Sequence, residues 1–238
     1  MRPQTWFLAA SAVALAVVFA LLGQWQLRRA GEAEAAAADF ARLAVVPELK
    51  ILPDGAAAGR LRYRRVALRG HYLPHTQVLI DNMTHEGVAG YHVLTPFVAS
   101  GGVVAVNRGF VPAPPSRSEL PDVAVSAEER TVRGRIDTLR APGLRLDTAE
   151  AISAGPVRVV SFPRPDDLER AFGRAVAAYQ ILLDAAEPDG FVRAWEPSGS
   201  RAERNWAYAG QWFALSVATL VAALGLLLRS RLRKRSDA

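Results

Sequence analysis

Two stretches of this chain decide its solvent. Residues 6–22 and 212–228 contain no charged side chain. With its flanks, each supplies the roughly 20 apolar residues that cross about 30 Å of hydrocarbon as a helix. A chain that is 50% hydrophobic and 22% charged reaches that mixture by segregating the two kinds of residue into blocks. The reading is a membrane protein of α+β class, with N- and C-terminal transmembrane helices flanking a β-rich extracytoplasmic domain. The expected divisions are residues 1–5 as a short cytoplasmic segment, 6–25 as the first helix and 26–205 as the outer domain. Residues 206–228 then form the second helix and 229–238 a basic cytoplasmic tail.

Aromatic and basic residues sit where such helices need them. Trp6 and Trp25 are separated by about 28 Å of helix, so both rings reach headgroup level. Trp206, Tyr208 and Trp212 form the corresponding belt of the second helix. Arg229, Arg231, Arg233, Lys234 and Arg235 follow it directly, which is the usual cytoplasmic anchor. Two spans return the N-terminus to the same side. The net charge of +6 is thereby a lipid-facing feature and not a nucleic-acid footprint. The first apolar run is longer than the h-region of a cleaved signal peptide, about 7–15 residues, so it is read as a retained anchor in a bacterial plasma membrane.

Small residues recur at every fourth position, as Ala12, Ala16 and Ala20 on the first helix and Gly210, Ala214, Ala218 and Ala222 on the second. Such spacing lets helices approach closely in lipid, so both stripes are expected where the two helices pack on each other, with docking onto a partner's membrane helices as the alternative. Gln24, Gln26 and Gln211 lie at the outer boundary, where amides cap helix ends or bond across helices.

Between the spans, alanine-rich residues 33–43 continue the first helix until Pro47 and Pro53-Asp54-Gly55 break it. Strands are expected at 63–70, 77–81, 91–97, 103–106, 131–136, 157–162 and 179–183, each bounded by turn residues. A helix is expected over 165–176. Asn107-Arg108-Gly109-Phe110 reads as a turn at a strand end that projects Arg108, followed by an exposed loop over residues 112–118.

Little in the chain points to catalysis. With no cysteine, thiolate nucleophiles and disulfides are excluded. No nucleophile elbow or phosphate-binding glycine loop occurs. Ser153, Ser161 and Thr95 have no local base. His71 and His75, with Asp81, Met83 and His85 nearby in sequence, fall short of a three- or four-ligand metal site. The expectation is no enzyme and no metal.

Three motifs taken together resemble the surfeit-locus cytochrome c oxidase assembly family. They are residues 22–29 (LGQWQLRR), residues 90–97 with 106–112 (GYHVLTPF and VNRGFVP), and residues 205–213 (NWAYAGQWF). The resemblance covers nearly the whole chain. Trp25, Gln26, Asn107, Arg108, Gly109, Pro112, Tyr208 and Ala209 match the family motifs. It implies an assembly factor for a haem–copper oxidase, working beside its catalytic subunit and haem a synthase and touching haem a transiently. Gln24, Arg28, Arg29, Gln211 and Trp212 are then the expected haem a vicinity. Asn205 lies near the place of a family histidine, and a carboxamide cannot replace imidazole as an ordinary axial ligand. The alternative is a non-catalytic extracytoplasmic sensor or scaffold.

Overall fold

The computed structural model describes residues 3–55, 59–116, 119–139, 157–197 and 202–236. Ser153, and residues 117 and 118 at the end of the expected loop, lie outside the described residues. Two compact units result, one formed by Met1–Phe40 with Glu196–Ala238 and the other by Ala41–Trp195.

The first unit is a pair of helices, α1 (Pro3–Arg42) and α3 (Ala202–Ser236). α1 passes through Gln24 and Gln26 without a break, so neither amide caps a helix end. Ala33 and Ala35 to Ala38 are strong helix formers and carry α1 onward; it stops short of Pro47. Both helices are long and apolar enough to cross a membrane, and only 17% and 11% of their apolar windows are buried. Phe7, Leu8, Val13, Val17, Leu21, Val217, Val221 and Leu224 are all exposed, which suits hydrocarbon and not water.

The second unit is a seven-stranded sheet whose order is β1-β5-β7-β4-β3-β2-β6. The strands are β1 (Arg65–Tyr72), β2 (Gln77–His85), β3 (Val88–Ala99), β4 (Gly102–Pro112), β5 (Arg130–Thr138), β6 (Val157–Val160) and β7 (Tyr179–Leu183). β1 also pairs with β3 through Gly70 to Tyr72. That contact closes β1, β5, β7, β4 and β3 into a ring, leaving β2 and β6 as an extension outside it. Four of the ring contacts are antiparallel and β4–β7 is parallel. The result is a barrel with the connectivity of the oligonucleotide/oligosaccharide-binding type.

Period-two alternation fills its interior. Val66 and Leu68 of β1, Val104 and Val106 of β4, and Tyr179, Ile181 and Leu183 of β7 pack with Tyr72, Phe97, Val132 and Ile136. The intervening residues face outward. On part of that outer face, Leu94 and Ala105 meet Val78, Ile80 and Val160, and α2 (Pro165–Phe172) covers them with Leu168, Ala171 and Phe172. Barrels of this type commonly bind oligomers on the face of the strands equivalent to β3 and β4. Here the chain's own α2 fills part of it.

α2 is shorter than the expected 165–176. Pro165 begins it, and Asp167 accepts a hydrogen bond from the Arg164 N–H at 2.9 Å. Gly173 ends it in the left-handed conformation (φ 69°), its N–H bonded to the Glu169 carbonyl. A glycine read as merely weakening the last turn is the C-terminal cap.

Tyr179 gives the barrel an alkaline limit. Its hydroxyl donates to the Pro53 carbonyl at 2.9 Å, and burial, with a smaller contribution from Asp54, pushes its pKa up to about 12. The unfolded chain ionises near pH 10. This contribution to stability is therefore complete below pH 10 and is lost as pH rises from there to about 12. Alkaline titration of the detergent-solubilised chain, followed by near-ultraviolet circular dichroism, is expected to show that loss. Tyr179→Phe removes this component of the pH dependence and lowers stability at neutral pH by about 1 kcal/mol through the lost hydrogen bond.

Candidate functional site

Two places carry the motif residues: the seam of the helix pair, and a bulge in β4. At the seam, Ser216 Oγ donates to the Ala16 carbonyl at 2.8 Å. The Phe19 and Trp212 rings stack with centroids 5.7 Å apart. A Cβ on Gly23 would lie 2.9 Å from the Phe213 ring, and the Trp206 indole N–H donates to Glu34 at 2.7 Å. Partner numbers fall on α3 as they rise on α1, so the helices run antiparallel.

The buried residues of the helix pair are Ala9, Ala16, Gly23, Ala30 and Ala33 on α1 and Ala209, Ser216 and Ala223 on α3. All but Ala33 recur at intervals of seven, the repeat of a left-handed supercoil. This corrects the four-residue stripes. Ala16 belongs to both patterns, but Gly210, Ala214, Ala218 and Ala222 are all exposed. A step of four drifts around a helix of 3.6 residues per turn, whereas a step of seven stays on one side with little drift.

The residues expected around haem a differ in burial. Gln24, Arg28, Arg29 and Gln211 are exposed, and Arg29 pairs with Glu32 at 3.1 Å. Trp212 is half-buried in the seam. Gln26 and Asn205 are half-buried, while Trp25 and Tyr208 are exposed and Ala209 is buried.

The second place overturns an expectation. Asn107, Arg108, Gly109 and Phe110 do not form a turn at a strand end; they lie inside β4. His92 pairs with Phe110 and Leu94 with Asn107, so β4 holds an extra residue there. Gly109 adopts φ +109° at this bulge, and a Cβ on it would stand 2.6 Å from the Val192 carbonyl oxygen. The bulge frees backbone groups that bind the strap before α3. Phe110 N–H donates to Val192 O at 2.8 Å, Val192 N–H to Phe110 O at 3.1 Å, and Phe191 N–H to Arg108 O at 2.7 Å. Pro112, exposed, closes the strand.

Arg108 does not project. It is 2% exposed. Its Nε donates to the Asp189 carbonyl at 2.7 Å. Nη1 donates to Val123 O at 2.8 Å, Gln77 Oε1 at 3.2 Å and Thr95 Oγ1 at 3.4 Å. Nη2 donates to Ala124 O at 3.2 Å. The guanidinium lies 5.0 Å from the Phe191 ring centre, a favourable cation–π distance. Burial draws its pKa down from the ordinary arginine value, with Tyr72 and Asp189 opposing; arginine stays charged regardless. Arg130 pairs with the Asp189 carboxylate, so one residue of the strap engages two arginines.

Asn107 works on the other face of the bulge. Its amide nitrogen reaches Gln180 Oε1 at 3.0 Å and His92 Nδ1 at 3.3 Å, and its oxygen accepts from Gly109 N–H at 3.2 Å. His92 lies edge-on to Trp195, 5.5 Å between ring centres. The motif is thus a clasp holding residues 122–124 and 189–195 to the barrel. Sequence reasoning missed Gln77, Thr95 and Gln180, whose amides and hydroxyl complete it. Their one signal is a polar residue at a position whose strand neighbours are apolar. Among the described residues no group of three or more His, Asp or Glu residues is placed to hold a metal ion.

Comparison with known proteins identifies the family. The SURF1 family model matches residues 13–217. A SURF1-like protein of Monosiga brevicollis is 29% identical over 236 residues, covering 90% of this chain and 85% of its own. A SURF1-like protein of Mycobacterium tuberculosis is 40% identical over 80 residues, which span 33% of this chain and only 29% of the relative. The cytochrome oxidase assembly protein of Saccharomyces cerevisiae is 26% identical over 182 residues, 72% of this chain and 45% of the yeast protein. With a family match running from the first apolar helix, through the barrel and its clasp, into the second, the chain belongs to the SURF1 family.

Proposed function

We propose that this chain is a non-catalytic assembly factor for a haem–copper cytochrome c oxidase. The carrying observation is the family match over residues 13–217, joined to a relative over 72% of the chain whose name is cytochrome oxidase assembly protein. In this reading the chain sits in a bacterial plasma membrane with both termini cytoplasmic and the barrel outside. The five basic residues between positions 229 and 235, at the C-terminal end of α3, support that orientation. Its partners are the oxidase catalytic subunit and haem a synthase.

Haem a enters the proposal as cargo. All four histidines, His71, His75, His85 and His92, lie between the spans, so neither helix offers an imidazole. Asn205 supplies a carboxamide that cannot serve as an ordinary axial ligand. Gln24, Arg28, Arg29 and Gln211 are exposed. The helix-borne donors therefore do not fit a resident haem, and the chain's contribution is to dock and orient its partners while the haem passes between them.

Affinity capture of the tagged full chain from cross-linked membranes tests the partnership. Enrichment of the oxidase catalytic subunit and haem a synthase over a tag-only control is expected. Recovery of neither, from membranes that contain both, contradicts it.

A further inference from the structure

The outward side of α1 carries a feature that neither the seam nor the assembly role uses. Leu21, Gln24, Trp25 and Arg28 are spaced three and four apart, so they form one face of the helix. All four are exposed, Leu21 at 60% and Trp25 at 48%. The buried seam positions Gly23 and Ala30 lie on a different side.

Read along the helix, this face changes character as a phospholipid does. Val17, Val18 and Leu21 are exposed apolar residues at acyl-chain depth. Gln24 and Trp25 follow at the boundary marked by the Trp6–Trp25 spacing, the depth of ester carbonyls, where an amide and an indole N–H can donate. Arg28 stands about one turn further out, roughly 5 Å, at the depth of a phosphate. Arg29 is engaged by Glu32, but Arg28 makes no ion pair or side-chain hydrogen bond among the described residues. The Arg28 side chain is itself exposed.

We propose that Gln24, Trp25 and Arg28 form a binding site for the headgroup of an anionic phospholipid. Arg28 pairs with the phosphate in the forked geometry that guanidinium and phosphate share, Gln24 donates to an ester carbonyl, and one acyl chain lies along Leu21 and Val17. The inference rests on the membrane reading of the helices and not on the oxidase reading. A haem propionate offers similar anionic oxygens, and the test separates the two.

Phosphatidylglycerol is titrated into the purified full chain against a phosphatidylcholine background, and bound lipid is counted by native mass spectrometry. One phosphatidylglycerol is expected to be retained preferentially. Arg28→Gln is expected to weaken its retention about tenfold, the value of one charge-assisted hydrogen bond, while Arg174→Gln, which removes an exposed charge from the barrel, changes nothing. Arg28 packs against nothing in the seam, so the variant folds; thermal unfolding checks this. Unchanged lipid retention in Arg28→Gln overturns the proposal. So does a variant that keeps its lipid but no longer retains added haem a, which assigns the arginine to the cargo.

Discussion

Replacing Arg108 with methionine is expected to destabilise the barrel by about 3–5 kcal/mol, the usual cost of breaking a buried charged network from one side. Methionine matches the aliphatic stem but supplies no donor. The carbonyls of Asp189, Val123 and Ala124 and the side chains of Gln77 and Thr95 all lose a partner in a place that water does not reach freely. At about 2–4 °C per kcal/mol for a domain of this size, the midpoint falls by roughly 10 °C. Thermal unfolding in detergent, read by tryptophan fluorescence, measures it; Trp195 sits on the clasped strap and reports on it directly. Arg108→Lys keeps the charge but offers a compact ammonium in place of a planar fork, so it is expected to restore only part of the loss. A methionine variant with an unchanged midpoint removes the arginine from any structural role.

Gly109→Ala is expected to cost about 2–4 kcal/mol, from a positive φ that disfavours any Cβ and from the displacement that Cβ forces. At φ +109° the added methyl meets the Val192 carbonyl at 2.6 Å. That carbonyl accepts the Phe110 N–H, so the strap cannot retreat without breaking the pairing the bulge exists to make. The expected signature is local. Limited proteolysis should cut within 189–197 faster than in the parent, while the first-order core of Val66, Leu68 and Ile181 keeps its amide-exchange protection. Parental cleavage rates would mean that the strap is held independently of the bulge.

How much of this was legible in the residues varies with the range of the interaction that decides it. The two apolar runs are local facts, and the helices follow them. Tyr179–Leu183 was expected at the limits it has, because alternation and turn residues bound it closely. The clasp was not legible. Asn and Gly tolerate positive φ in a turn and in a bulge alike, so the same four residues support both readings. An arginine reads as exposed unless its acceptors are known, and those of Arg108 come from residues 77, 95, 123, 124 and 189. The seam was half legible. Ala16 marked it on α1, but on α3 an alanine-rich sequence offers several small-residue stripes, and only the partner helix selects Ala209, Ser216 and Ala223. The haem expectation for Gln24, Arg28, Arg29 and Gln211 came from the family resemblance alone, and the four side chains are exposed.

The central claim is that this chain serves oxidase assembly. A strain lacking the gene, with no second copy in its genome, tests it by a-type haem absorbance and cytochrome c oxidase turnover in its membranes. The account predicts loss of both, with b- and c-type cytochromes intact and recovery when the full-length gene is returned on a plasmid. Unchanged a-type absorbance and unchanged turnover would contradict it.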